Sequence, residues 1–221
     1  MISTLFSMRD DRFREFHCRL IPNVPKDTVI GVRTPLLRRY VSSMSQEERR
    51  SFLQNLPHRY YEENNIHALI LNSAPCSLEL LEEFLPYVNN WATCDMLKPR
   101  RLTAAREEYV ARLRHWMMSK HPYTIRYAVN CMMRDFLEQD FNVCHFDWID
   151  GIAATDYYVK MGIAWYYSEA LVKQWEITVK HLANGLPDRW ILCKALQKGI
   201  ESYRLTADQK SVLKQMKENV Q

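Results

Sequence analysis

Apolar residues recur along this chain at intervals of three and four from one end to the other, and nowhere do they alternate with polar ones. The first spacing puts them on one face of an α-helix; alternation would have marked strands. The pattern predicts a first helix over residues 2–20, ended by Pro22 and Pro25. Gly31 ends a short loop. Thr34-Pro35 then reads as an N-cap followed by proline at the first helical position, opening a helix over 36–44. Ser45-Gln46-Glu47-Glu48 has capping-box spacing, and so does Thr206-Ala207-Asp208-Gln209. Further helices are expected over 60–72, 77–85, 88–97, 103–118, 122–138, 156–171, 173–182, 187–202 and 206–219.

The connections are short and punctuated by Pro, Asn, Ser and Asp, so the reading is all-α, with helix pairs stacked as a solenoid that presents a concave surface. No fixed period is traceable by identity. No Gly-, Ser- or Pro-rich linker interrupts residues 1–221, which reads as a single domain. Five glycines are too few for the turns of a barrel or sandwich of this length. No run of about 18 apolar residues spans a membrane, and no secretory leader is expected from the first twenty residues. The six cysteines are scattered without a C-x-x-C, which favours free thiols in a reducing cytoplasm. A net charge of +4 permits an anionic partner without demanding one.

The candidate chemistry is sparse. There is no H-E-x-x-H, phosphate-binding glycine loop, G-x-S-x-G or dinucleotide fingerprint, and the seven histidines do not cluster at ligand spacing, so no metal is expected. In Asn89-Asn90-Trp91-Ala92-Thr93-Cys94-Asp95 a helix would put Trp91 and Asp95 on one face. An aromatic plane beside a carboxylate suits a sugar or a cationic ring; a half-buried Trp with an Asp on the helix rim is the plainer alternative. Lys98, Arg100, Arg101, Arg106, Arg112 and Arg114 outnumber Glu107 and Glu108, a patch fit for phosphates or simply a solvated helix face. Arg126 stands among apolar residues near a helix start, either aimed at something specific or snorkelling from a core face. Residues 156–169 form a strongly aromatic helix, fit for a base- or sugar-contacting groove or for packing between helices.

Taken in order, several segments resemble the AlkD-like DNA alkylation-repair family, glycosylases built from HEAT-like helical repeats. They are Ile30-Gly31-Val32-Arg33-Thr34-Pro35-Leu36-Leu37-Arg38-Arg39, Glu62-Glu63-Asn64-Asn65-Ile66-His67-Ala68-Leu69, Asn90-Trp91-Ala92-Thr93-Cys94-Asp95, Ile125-Arg126-Tyr127-Ala128-Val129, Val159-Lys160-Met161-Gly162-Ile163-Ala164-Trp165, and Lys194-Ala195-Leu196-Gln197-Lys198-Gly199-Ile200-Glu201-Ser202. The resemblance implies a HEAT-like superhelix with a concave basic face that grips double-stranded DNA, and hydrolysis of the N-glycosidic bond of a cationic alkylated purine. It makes Asp95 the catalytic carboxylate, Trp91 and Trp165 the aromatic walls against the lesion's deoxyribose, and Arg126 the arginine beside them. Arg33, Lys98, Arg101, Lys194 and Lys198 are the further DNA contacts expected. No cofactor, metal or membrane enters this reading, and the protein is expected to act as a monomer in a bacterial-type cytosol or nucleoid.

An N3- or N7-alkylated purine carries a positive charge and leaves as a neutral base, so one carboxylate suffices: it stabilises the oxocarbenium and orients water. Three positions depart from the family pattern. Ser168 stands where its best-known glycosylases carry arginine, Asn90 where an aromatic is common, and Gly162 where alanine is. A catalytically silent DNA-binding relative and a helical-repeat protein scaffold are the rival readings; only the glycosylase reading has a chemical need for the two tryptophans, the Asp and the Arg together.

Overall fold

The computed structural model describes residues 1–220, and among them every regular element is helical. The α-helices are α1 Ile2–Ser7, α2 Asp11–Leu20, α3 Thr34–Ser43, α4 Gln46–Gln54, α5 Tyr61–Ser73, α6 Leu78–Phe84, α7 Trp91–Met96, α8 Arg106–Met117, α9 Pro122–Asp135, α10 Cys144–Asp150, α11 Tyr157–Lys173, α12 Trp175–Ala183, α13 Arg189–Glu201 and α14 Ala207–Val220. The chain divides into two compact units, one covering Met1–Tyr109 and the other running from Val110 on.

In the first unit α5 is the centre, packed by α3, α4 and α7. Every residue from Tyr61 to Leu71 is buried, so the helix has no solvent face. Its polar side chains must therefore find partners inside. Glu62 does so with its whole carboxylate, accepting the backbone N–H groups of Ile30 (2.9 Å), Gly31 (2.7 Å) and Val32 (3.1 Å). Gly31 is in the left-handed region at φ +99°, and a Cβ there would come within 2.5 Å of Arg14 Cβ and 2.9 Å of the Asp10 carbonyl oxygen. Asn72, near the other end of α5, donates to the Met96 carbonyl (2.8 Å) and accepts the Lys98 N–H (2.6 Å), tying down the chain that leaves α7.

In the second unit the centre is α11, packed by α9, α12 and α13, with α14 on α13. Tyr166 and Tyr167 are wholly buried on it. Gly199 of α13 faces Leu171 and Leu213, whose methyl groups leave no room for a side chain.

The all-α expectation and both capping boxes are present: Ser45 with Glu48, and Thr206 with Gln209. Several boundaries moved, among them the start of α8, at Arg106 rather than 103, and the end of α9, at Asp135 rather than 138. The long first helix is two, because Asp10 turns away to donate its backbone N–H to the Gly31 carbonyl (3.0 Å) while its carboxylate caps α2 through Phe13 N–H (2.9 Å). The helix expected over 88–97 starts only at Trp91, where Asn90 caps it. α10 was missed, since seven residues hold too few turns to show a period.

A partly buried histidine before α5 meets a buried one in its middle. His58 Nε2 and His67 Nδ1 are 2.9 Å apart, His67 stacks on Phe84 at 4.0 Å, and His58 stacks on Phe52 at 4.5 Å. His58 Nδ1 is buried with no hydrogen-bond partner among the described residues. Burial pushes the His58 imidazole down to about 4; burial and the neighbouring His58 push His67 down to about 3.

Two outcomes are expected. Glu62→Gln swaps one acceptor oxygen for an amide that faces N–H donors, and should lower the unfolding free energy by roughly 3 kcal/mol in urea titrations. As pH falls below 6.5 the unfolded chain takes up protons that the native His58–His67 pair refuses, so stability should drop progressively toward pH 4. His58→Gln should flatten that slope in the same titrations repeated across the range.

Candidate functional site

The helix α7 that carries Trp91 and Asp95 is short, and buried polar groups hold it. Asn90 Oδ1 accepts the Thr93 N–H (2.8 Å), and Asn90 Nδ2 donates to Thr93 Oγ1 (3.0 Å). Thr93 Oγ1 donates to Asn65 Oδ1 (2.7 Å) on α5. One turn before Asn65 on α5, the Tyr61 hydroxyl lies 2.7 Å from His17 Nε2 on α2. Burial pushes the Tyr61 hydroxyl up to about 12 and the His17 imidazole below its ordinary value, so both are neutral near pH 7. These bonds tie α7 and α2 to α5. They also explain the departure at position 90: Asn both caps α7 and holds Thr93, which no aromatic side chain does.

Trp91 is half-buried. Its indole N–H donates to the Leu20 carbonyl (2.8 Å), one of the carbonyls left over at the end of α2. Its ring packs with Ala92 on Cys18, Ile21, Val24, Val29 and Tyr61. One turn further on, Asp95 is half-buried on the same face of the helix. The pair predicted from spacing is thus formed, on a helix that cannot roll without breaking the Trp91 and Thr93 bonds.

The other predicted residues of this unit are peripheral. Lys98 and Arg101 are exposed, on a segment whose backbone is pinned at Asn72 and at Cys76, where the Arg101 carbonyl accepts an N–H at 2.9 Å. Arg33 is exposed too, but it is engaged: its guanidinium pairs with Asp10 (2.9 Å) and lies 5.0 Å over the Phe13 ring. The Phe13 N–H first, and then Arg33, hold the Asp10 carboxyl below its ordinary value.

Arg126, Trp165, Lys194 and Lys198 belong to the second unit. Arg126 on α9 is only 6% exposed; Nη1 donates to the Tyr158 carbonyl (2.7 Å) in the first turn of α11. Its side chain crosses α11 at Gly162, where a Cβ would lie 3.4 Å from Nη1. Arg126 therefore braces α9 against α11 in addition to anything it does at the surface. Trp165 is half-buried on α11, one turn before Glu169, whose carboxylate pairs with Arg204. Lys194 sits 5.7 Å from the centre of the Trp190 ring, and Lys198 follows one turn later, half-buried. Of the basic patch, Arg114 lies 5.0 Å over Trp148.

Sequence reasoning missed Asn65 and Thr93. Only Thr93 left a signal, three residues after an N-cap asparagine, where the cap's hydrogen bond falls. Among the described residues no group of three His, Cys, Asp or Glu side chains is placed to hold a metal, and no helix is long and apolar enough to cross a membrane.

A family model described as DNA alkylation repair enzyme matches residues 8–171, most of the chain and all of α2 through α10. Searches of curated proteins and of solved structures returned no match.

Loss of the cap should be measurable. Asn90→Ala is expected to cost about 1–2 kcal/mol in urea unfolding, whereas Asn90→Asp, which still accepts the Thr93 N–H, should cost less than half as much.

Proposed function

The chain belongs to the DNA alkylation repair enzyme family, and on that premise we propose that it is a monofunctional glycosylase for cationic alkylated purines, N3-alkyladenine and N7-alkylguanine, in duplex DNA. The observation that carries this reading is the fixed α7 helix, which presents a half-exposed carboxylate, Asp95, one turn from a tryptophan locked at its indole N–H.

The reaction needs little more. Alkylation has already made the base a good leaving group. The C1′–N bond breaks, its electron pair goes to the purine, and the base departs neutral. The positive charge that develops on the sugar is stabilised by the Asp95 side chain and by the electron-rich faces of Trp91 and Trp165, each face worth about 0.5–2 kcal/mol. A water then adds at C1′, and Asp95 takes its proton. Arg126 serves by holding α11, and so Trp165, against α9. Lys98, Arg101, Lys194 and Lys198 contact phosphates; Arg33 contributes less, since Asp10 already neutralises it.

A silent DNA-binding relative is the second reading. The burial of Arg126 against the Tyr158 carbonyl favours it, because that arginine is then a structural brace. The two differ at Asp95. Duplexes containing N7-methylguanine or N3-methyladenine should lose free base to the wild type under single-turnover conditions. Asp95→Asn should be slower by 100-fold or more with DNA affinity within about twofold. An Asp95→Asn protein as fast as wild type would sink the catalytic assignment, and salt-sensitive binding without any release would establish the silent relative.

A further inference from the structure

Between α4, the end of α5 and the start of α6 the first unit leaves a cavity of about 620 Å³, a volume suited to a small molecule. Leu53, Ile70, Pro75 and Leu80 give it aliphatic walls, and among the described residues no aromatic ring lines it. Two cations of α4, Arg49 and Arg50, stand on its wall.

Neither guanidinium has a carboxylate partner among the described residues. Arg49 Nη2 donates to the Val41 carbonyl in the last turn of α3 (2.7 Å), which fixes the group, while its Nε is buried with no hydrogen-bond partner. Arg50 is exposed. Glu83 lines the same cavity and pairs with neither. The lining thus carries two positive charges against one negative, with no counter-ion drawn from the protein.

We propose that this cavity binds a small organic monoanion with an aliphatic body, of the medium-chain carboxylate class. Its head meets the arginines of α4, and its chain lies along Ile70, Pro75 and Leu80. The inference stands on the first unit alone and makes no use of the glycosylase reading.

The chemistry of the walls selects this class. A guanidinium fork matches a carboxylate with two parallel charge-assisted bonds. Aliphatic walls reward a chain in proportion to the apolar area it takes out of water. A nucleoside would find no ring on which to stack its base. A DNA phosphate needs a surface cation and gains nothing from an apolar hollow behind it. Glu83 repels a second negative charge, so a single anionic head is favoured.

The test uses decanoate as probe, with three comparison ligands: decanol keeps the chain without the charge, acetate keeps the head without the chain, and decylamine reverses the sign. Affinity is measured by titration calorimetry, and the place of binding by backbone ¹H–¹⁵N shifts. Wild type, Arg49→Gln, Arg50→Gln and Leu80→Gln are compared, with duplex affinity and the urea midpoint followed alongside.

Decanoate should saturate one site and move the resonances of Ser73, Ala74 and Leu80. Decanol and acetate should bind at least about tenfold more weakly, and decylamine should not compete. Arg50→Gln should weaken decanoate about tenfold with the urea midpoint and duplex affinity unchanged. Leu80→Gln should weaken decanoate and decanol alike. If Arg49→Gln does not fold, because it loses the Val41 bond, Arg50→Gln and Leu80→Gln carry the comparison. Decanol or decylamine bound as tightly as decanoate overturns the proposal, and so does full affinity in Arg50→Gln. An Arg50→Gln protein that loses salt-sensitive duplex binding, with no decanoate bound by wild type, overturns it too and makes these arginines phosphate contacts.

Discussion

The first unit depends on one buried carboxylate. Glu62 lies in a helix with no solvent face, and it takes three consecutive backbone N–H groups from a loop that has no ladder of its own. Such charge-assisted bonds are among the stronger ones a protein makes, and leaving them unmade inside would be costly. The loop's direction follows from them. Val29 goes into the cluster under Trp91, while Ile30 and Val32 go into the core between α3 and α5. The Gly31 carbonyl then takes the Asp10 N–H, which breaks the N-terminal helix in two and sets where α2 begins. One acidic side chain thus places the segment that Trp91 packs on and the helix that accepts its indole proton.

The second unit is organised differently. Its central helix is apolar and aromatic, and its polar bonds are spread along it: Asp156 at the N-cap, Arg126 on the Tyr158 carbonyl, the buried Tyr167 hydroxyl on Asp150 (2.6 Å), which also meets His181, and Glu169 on Arg204. Each unit holds one half-buried tryptophan of the predicted set, Trp91 and Trp165, and the Trp91 indole N–H is bound to the Leu20 carbonyl rather than left to water.

What could be read from the chain was what is local. The helices showed through their periodicity, and the capping boxes at Ser45 and Thr206 through a spacing of three. The Trp91–Asp95 pair needs only the geometry of one turn. What stayed hidden depends on residues distant in sequence. Nothing around Met8–Asp10 announces a break, since its cause is a carbonyl twenty-one positions on. The run Glu62-Glu63-Asn64-Asn65 looks like the polar start of an exposed helix, and all four residues are buried. Pattern reading equates polar with outward, and that fails where a buried helix spends its polar side chains on its neighbours. The partner of Arg126 was hidden for a related reason, because it is a backbone carbonyl and carries no residue type to recognise.

The chain of bonds that fastens α7 has a direction. Asn90 gives a proton to Thr93 and Thr93 gives one to Asn65. Asn65 Oδ1 ends the run as its acceptor, so the donors point one way, from the residue before α7 into the centre of α5. The three side chains are therefore oriented as a set: the Thr93 hydroxyl has one proton, and once it receives from the Asn90 NH₂ its own acceptor has to be the oxygen of the Asn65 amide, not the nitrogen.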